Sequence, residues 1–255
     1  MKMTAWAVLA GLLMCQPLWA DEQSQLLFGH DDRQAVSVTR TPWQAIAQIE
    51  TAGENLCSGV LIAPQWVLSA GHCFVDAHHG QDPAINVQFA GARSQFYRPD
   101  HLYFPRELIN GLKGDGDGFV ISAEASPHDV ALIHLTKPVA HIAPLPLWRG
   151  SSEQLAALLK QDKVSQAGYP ADHLDTLLAH QGCQVDKVNA DGTLAHRCDT
   201  LPGDSGSPLL LEEGGVWWVV GVQSSAPDAS ERQEADNLAV AVPSVARQLQ
   251  RWMGG

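Results

Sequence analysis

Short apolar runs rich in valine, isoleucine and leucine recur along the chain, and glycine, proline, aspartate and asparagine lie between them. Short runs bounded by turn-forming residues are typical of β-strands. They occupy residues 44–50, 59–62, 66–69, 85–89, 130–135, 209–211 and 216–222. The pattern therefore predicts an all-β protein of the sandwich or barrel type.

Helical periodicity is confined to two segments, 152–160 and 243–252. In the second segment Val245, Leu249 and Trp252 fall on one face at helical spacing. We therefore expect a helix near the C terminus, packed on the β-structure through that face.

A segment without a periodic pattern divides the chain. Residues 140–149 contain Pro144 and Pro146, and prolines at this spacing disfavour both a helix and a central strand. We interpret the segment as a connection between two halves. The expected units are residues 21–149 and residues 150–255.

The first twenty residues have the pattern of a secretory signal peptide. Lys2 supplies a positive charge, residues 5–13 are apolar, and a small residue, Ala20, precedes the acidic Asp21. The apolar run is about half of the roughly 20 residues that a membrane-spanning helix needs. We therefore expect residues 1–20 to be removed after Ala20, and the mature protein to be periplasmic or secreted without a membrane span.

The composition is that of a globular protein with an acidic surface. The chain has 255 residues, of which 45% are hydrophobic and 17% charged, and its formal net charge is -12. Enough apolar material is present to fill a core, and an acidic surface disfavours nucleic acid as a partner. We expect a monomer without a cofactor.

Four cysteines remain once the signal peptide is removed: Cys57, Cys73, Cys183 and Cys198. An even number in an exported protein predicts two disulfides, for which three pairings are possible. No C-x-x-C spacing occurs, so we expect no zinc site.

Three short motifs carry residues with catalytic potential. A strand-like run ends in His72, an apolar strand begins after Asp129, and Ser205 lies within Gly-Asp-Ser-Gly at 203–206. A serine hydroxyl is a weak nucleophile until a histidine accepts its proton, and a buried carboxylate orients that histidine. Each motif alone is ordinary, but together they predict nucleophilic catalysis.

The order of the three residues narrows the class of enzyme. No histidine follows Ser205, the last in the chain being His196, so the Ser, Asp, His order of α/β-hydrolases is excluded. A subtilisin-like serine opens a helix, whereas Pro208 and a β-branched, aromatic run follow here. The order His, Asp, Ser remains.

With these motifs the chain resembles the trypsin-like serine proteases of the chymotrypsin fold. Further stretches resemble the bacterial glutamyl endopeptidase branch, namely residues 31–33, 167–172, 198–200 and 237–242. The resemblance extends over roughly residues 31–252. It implies two packed six-stranded antiparallel β-barrels, a cleft between them, and a C-terminal helix.

The resemblance also implies a role for each matching residue. Ser205 would be the nucleophile, His72 the general base and Asp129 the orienting carboxylate, while the backbone N–H groups of Gly203 and Ser205 would form the oxyanion hole. It implies a Cys57–Cys73 disulfide, which leaves Cys183–Cys198 as the second pair.

The substrate pocket is the part for which the resemblance leaves two alternatives. Asp199 lies six residues before Ser205, where trypsin-like enzymes place a carboxylate that binds Arg or Lys. Relatives that cut after Glu can carry the same Asp-Thr pair, here Asp199 and Thr200, but use a histidine where this chain has Gln223. We therefore favour a basic over an acidic preference, with Ser224 contacting the substrate backbone.

Asp204 raises the question of activation. In animal members of the family this aspartate binds an α-ammonium group that zymogen cleavage releases, and a buried carboxylate needs such a partner. We expect an exported serine endopeptidase that acts on proteins or peptides, made as a zymogen that is cleaved within residues 23–33. The alternative is a catalytically silent, protease-like binding protein.

Overall fold

The structure is a computed structural model, and it describes residues 25–76, 80–115, 118–232 and 234–254. The residues predicted to be the signal peptide lie outside these ranges. Two curled antiparallel sheets of six and eight strands make up most of the described chain, and a helix closes its C terminus. The all-β prediction and the C-terminal helix are confirmed.

The six-stranded sheet is built from the N-terminal half in the spatial order β5-β2-β3-β4-β9-β6. All but β6 contain or overlap the apolar runs seen in the sequence, because strands that are buried on a sheet face are rich in branched apolar residues. Their bounds are β2 Ile46–Thr51, β3 Leu56–Ala63, β4 Trp66–Ser69, β5 Ala84–Phe89, β6 Pro99–Tyr103 and β9 Ala131–Leu135.

The eight-stranded sheet has the order β1-β11-β10-β14-β15-β16-β13-β12. It exceeds the six strands expected because residues after 150 form seven strands and the N-terminal β1 pairs with β11 at its edge. The bounds are β1 Arg33–Ala35, β10 Val164–Gly168, β11 Leu178–Cys183, β12 Val185–Val188, β13 Thr193–His196, β14 Pro208–Glu213, β15 Val216–Ser225 and β16 Asn237–Ala241.

The remaining elements of the described chain are one small hairpin, three α-helices and several short 3-10 turns. The hairpin pairs β7, Leu112–Asp115, with β8, Gly118–Ile121, and the helices are α1 Arg106–Gly111, α2 Ser152–Leu158 and α3 Val242–Gly254. Helix α2 begins where Ser151 and Gln154 form a reciprocal capping box. No helix in the described ranges is long and apolar enough to cross a membrane.

One continuous apolar core runs through both sheets. Ser58 of β3 links them by polar contacts: its hydroxyl donates to the carbonyl of Gly203 and accepts the Tyr169 N–H, each at 2.9 Å. The backbone N–H of Ser58 donates to the carbonyl of Ser205 at 2.8 Å. The junction therefore fixes the loop that carries Ser205 against the N-terminal sheet.

Candidate active site

The structure brings His72, Asp129 and Ser205 together at the junction of the sheets. His72 follows β4 in a 3-10 turn, Asp129 lies between a 3-10 turn and β9, and Ser205 lies in the loop before β14. His72 Nδ1 lies 2.7 Å from Asp129 Oδ2, and His72 Nε2 lies 2.9 Å from Ser205 Oγ. These contacts form a continuous path from the hydroxyl to the carboxylate.

Two further hydrogen bonds hold the Asp129 carboxylate, which is fully buried. The backbone N–H of His72 donates to Oδ1 at 2.8 Å, and the hydroxyl of Ser224 donates to Oδ2 at 2.6 Å. Ser224 thus contacts Asp129 directly, a role not expected from the sequence. Burial raises the pKa of Asp129, but the positive charge and hydrogen bonds of His72 and the Ser224 bond outweigh it, so the pKa is lowered.

The pKa of the His72 imidazole is shifted in the opposite direction, upwards. Burial lowers the pKa of His72, but the Asp129 carboxylate and its hydrogen bond outweigh this, and the pKa rises above its ordinary value. A base with a raised pKa accepts a proton from the serine more readily.

Backbone geometry around the serine requires glycine on both sides. Gly203 and Gly206 have φ angles of +97° and +82°, a left-handed conformation that L side chains rarely adopt. A Cβ at Gly206 would lie 2.3 Å from the Ser58 carbonyl oxygen, so no side chain fits there. Within the described chain, the N–H groups of Gly203 and Ser205 donate to no protein acceptor, which leaves them available to an oxyanion.

The structure contains the two disulfides Cys57–Cys73 and Cys183–Cys198. The first joins β3 to the residue that follows His72, and the second joins the end of β11 to the residue that precedes Asp199. Each cross-link therefore restrains the backbone next to a site residue.

Asp199 does not present an open carboxylate, in contrast to the expectation for a pocket that binds Arg or Lys. Its Oδ1 accepts the N–H of Phe28 and its Oδ2 the N–H of Asp32, each at 2.9 Å. The Nδ1 atom of His180 lies 3.2 Å from Oδ2. Burial raises the pKa of Asp199, but these three partners outweigh it and lower the pKa. The N-terminal segment thus satisfies the carboxylate, and no sequence pattern marks this contact.

Gln223 is held by His196, which the sequence analysis did not single out. The Oε1 atom of Gln223 lies 2.7 Å from Nε2 of His196, and both side chains are buried. Burial lowers the pKa of His196 to about 3, so its ring is neutral at pH 7 and donates to the glutamine. Gln223 therefore supports a neutral histidine rather than facing solvent.

Thr200 contacts a second group, formed by Asn237 and Arg232. Its hydroxyl accepts a hydrogen bond from Nδ2 of Asn237 at 3.1 Å, and Oδ1 of Asn237 accepts one from Nη1 of Arg232 at 2.5 Å. The guanidinium of Arg232 also lies over the Phe28 ring, 4.6 Å from its centroid. Arg232 is thus linked to two of the predicted pocket residues, to Thr200 through Asn237 and to Asp199 through Phe28.

Arg232 is buried without full hydrogen bonding. Its relative exposure is 1%, and within the described chain its Nε and Nη2 atoms have no hydrogen-bond partner. Burial lowers the pKa of Arg232, while the carboxylates of Asp199 and Asp236 act in the opposite direction. Nε and Nη2 form one edge of the guanidinium, the edge that binds a carboxylate through two parallel bonds.

Asp204 is buried beside the site and lacks a cationic partner among the described residues. Its Oδ2 accepts the N–H of Leu201 at 3.0 Å. Burial raises its pKa to about 7, against the lowering effects of that bond and of the more distant Arg33. The carboxylate is therefore in the environment expected for a group that awaits a positive charge.

Comparison with known proteins agrees with this fold. The trypsin family model matches residues 29–252, so the chain belongs to the trypsin family. Glandular kallikrein-10 of Rattus norvegicus is 26% identical over 196 residues, which cover 67% of this chain and 70% of the kallikrein. A solved structure described as Glu endopeptidase in complex with MPD superposes with a TM-score of 0.70, at 20% identity, over 88% of this chain and 97% of the other. The protein is a trypsin-like serine endopeptidase with the chymotrypsin fold.

Proposed function

We propose that Ser205 attacks the carbonyl carbon of a peptide bond and forms an acyl-enzyme. The hydroxyl proton passes to Nε2 of His72, while Nδ1–H of His72 donates to Asp129, which stabilises the imidazolium. His72 then transfers the proton to the leaving amine, and a water molecule releases the acyl group by the reverse sequence. The observation that carries this proposal is the path of hydrogen bonds from Ser205 through His72 to Asp129.

The developing negative charge falls on the carbonyl oxygen of the substrate. We assign its stabilisation to the N–H groups of Gly203 and Ser205, each typically worth about 3 kcal/mol. The left-handed conformation of Gly203 and the Ser58 contacts to both residues hold these donors in place before the substrate binds. Preorganised donors of this kind need no rearrangement during the reaction.

Peptide hydrolysis by single variants tests this mechanism. Ser205→Ala and His72→Ala should each lower kcat by about 10⁴-fold or more, as for catalytic groups that act as a unit. Ser37→Ala changes an exposed serine that is distant from Ser205 in the sequence, and it should leave kcat unaltered. Hydrolysis that survives in Ser205→Ala, or is absent from the folded wild-type protein, would favour the silent binding protein instead.

We further propose that the residue before the scissile bond carries an acidic side chain. This proposal replaces the basic preference expected from the sequence. Both carboxylate oxygens of Asp199 already accept hydrogen bonds from the N-terminal segment, so they are not open to a substrate Arg or Lys. Arg232 offers the buried, unfilled edge of a guanidinium, which a carboxylate would complete with two hydrogen bonds. An acidic group would also relieve the cost of a buried cation that forms no ion pair within the described residues.

Export and activation complete the proposal. The predicted signal peptide at residues 1–20 and the two disulfides support a periplasmic or secreted enzyme, since disulfides persist in oxidising compartments. The buried Asp204 supports a zymogen in which a new α-ammonium group becomes its partner. Cleavage before Phe28 would preserve the contacts to Asp199, so we place it within residues 23–27.

N-terminal sequencing of the active enzyme tests the activation step. We expect the chain to begin between residues 23 and 28, with no activity in protein that still begins at Asp21. Full activity with an intact Asp21 terminus would contradict the zymogen proposal and leave the catalytic mechanism unaffected.

A further inference from the structure

A second group of chemically reactive side chains lies at the edge of the six-stranded sheet, separate from the active site. Asp100 and His101 belong to the edge strand β6, and His134 belongs to its neighbour β9. Asp100 Oδ1 lies 2.6 Å from Nδ1 of His134 and 3.2 Å from Nδ1 of His101. All three donor atoms lie within 4.8 Å of one another.

A bulge in β6 brings these side chains together. In the backbone register Pro99 pairs with Leu135 and His101 pairs with His134. Asp100 is therefore an extra residue that no residue of β9 faces in the strand pairing. Adjacent residues of a regular strand point to opposite faces, but a bulge redirects a side chain. As a result both Asp100 and His101 contact His134, which a regular register would not allow.

Neighbouring rings lie beside both imidazoles. The ring of His134 meets Trp66 edge-on with centroids 4.6 Å apart, and the ring of His101 stacks on Tyr103 at 6.3 Å. The close Trp66 contact restricts rotation of His134 and holds its Nδ1 towards Asp100, while the Tyr103 ring lies nearly parallel to the more exposed ring of His101. The cost of ordering the ligands is thereby reduced before any ion binds.

We propose that Asp100, His101 and His134 bind a divalent transition-metal ion of the zinc type. Two imidazole nitrogens and a carboxylate oxygen suit zinc, whereas calcium and magnesium prefer oxygen ligands alone. Bonds of 2.0–2.2 Å around a tetrahedral ion place neighbouring donor atoms about 3.3 Å apart. The 3.2 Å separation is already close to that value, and the 2.6 Å separation reaches it when the His134 ring moves away from Asp100 by about 0.7 Å. Each imidazole binds the ion as the neutral ring protonated on Nε2: an Nδ1 proton leaves to solvent, and Nε2 takes one up from solvent where it lacks one. Water takes the fourth position.

Binding of the ion would cross-link the edge strand β6 to the neighbouring strand of the sheet. The ion would join β6 to β9, and β9 begins two residues after Asp129. The expected effect is therefore on the stability of the N-terminal sheet, through preferential binding to the folded state. Catalysis needs no metal in this proposal.

Calorimetric titration of chelator-treated mature protein with zinc chloride tests the site. We expect one saturable site per chain, a higher Tm with zinc, and affinity reduced at least about tenfold in His101→Asn. His101 is 65% exposed, so this change should not impair folding. His173→Asn is the matched control, since His173 is also exposed and lies 3.3 Å from the single carboxylate of Asp172. Its binding should equal that of the wild type.

The catalytic histidine could also bind zinc, so a His72→Gln protein is titrated in parallel. Retained binding in His72→Gln together with lost binding in His101→Asn supports the proposal. Copper quenching of Trp66 provides a second readout, because the indole contacts His134; the quenching should be lost in Trp66→Phe. No saturable zinc binding up to about 1 mM, or binding unchanged in both His101→Asn and Asp100→Asn, overturns it.

Discussion

Replacement of Arg232 by methionine should abolish the preference for an acidic side chain without unfolding the protein. Methionine retains much of the aliphatic length of arginine and removes the guanidinium, whose Nε and Nη2 edge we assign to the substrate carboxylate. Truncating one partner of a buried, hydrogen-bonded charge pair costs about 2–5 kcal/mol. At about 1.4 kcal/mol per factor of ten, kcat/KM should fall about 30- to 4000-fold.

The change in folding stability should be small. Arg232→Met removes a buried cation with two unsatisfied nitrogens, which stabilises the folded state, but it also leaves Oδ1 of Asn237 without its donor. Each effect is worth about 1–3 kcal/mol and they have opposite signs. We expect the free energy of unfolding to change by less than about 2 kcal/mol. A purely structural arginine would instead give a clear loss of stability and no change in specificity.

The assay compares matched peptides with Glu or Gln before the scissile bond. The two side chains have nearly the same size, so the ratio of their kcat/KM values isolates the charge. This ratio should be well above one in the wild type and near one in Arg232→Met. Arg197→Met is the control, because Arg197 also lies over the Phe28 ring, at 5.6 Å, but is half exposed and paired with Asp186 and Asp236. A ratio unaltered in Arg232→Met, or faster cleavage after Lys than after Glu by the wild type, refutes the assignment.

Three further predictions follow from the site. Asp204→Asn should stabilise protein that begins at Asp21 by up to about 4 kcal/mol at pH 8, because a carboxyl whose pKa is raised to about 7 in the folded state costs stability as the pH rises above 3.8. Urea unfolding of both proteins at pH 4 and pH 8 measures the difference. Equal stabilities at pH 8 would mean that a cation pairs with Asp204. Gly206→Ala should prevent correct closure of the serine loop, because its Cβ meets the Ser58 carbonyl, and a folded, fully active variant would contradict this. The value of kcat/KM should rise with pH as His72 loses its proton, with a midpoint above 6.5. Asp129→Asn should lower that midpoint. A midpoint unaffected by Asp129→Asn would contradict the claim that the Asp129 carboxylate raises the pKa of His72.

The strands that the sequence predicts are those whose burial is encoded locally. The runs 66–69 and 216–222 correspond to β4 and β15, since branched apolar residues on consecutive positions favour a strand buried on both faces. Several other strands lie outside the predicted runs, among them β12 and β13. Their polar residues, such as Lys187 and His196, obtain partners only when the sheet has formed.

The catalytic residues could be predicted because each lies in a distinctive local motif. The same does not hold for the pocket. Arg232 and Phe28 lie outside the stretches that carry the family resemblance. The contacts of Phe28 with Asp199 and of Asn237 with Thr200 join segments that lie far apart along the chain. Pocket chemistry therefore depends on tertiary packing that the local pattern does not encode.

The offset of Asp199 from Ser205 illustrates this limit. The offset predicts where the carboxylate lies, but not what it contacts, and the N-terminal segment occupies both of its oxygens. The prediction of a basic preference rests on that position and on Gln223 standing where relatives that cut after Glu have a histidine. The bonded partners of Asp199 and the open edge of Arg232 are what change that interpretation.

The central claim is that Ser205 is a nucleophile activated by His72, and covalent labelling tests it most directly. Mature, disulfide-intact protein is treated with a fluorophosphonate, and mass spectrometry locates the adduct. We predict one adduct per chain on Ser205, lost in Ser205→Ala and strongly slowed in His72→Ala. An adduct on another residue, or labelling of Ser205 at the same rate in His72→Ala, would contradict the account.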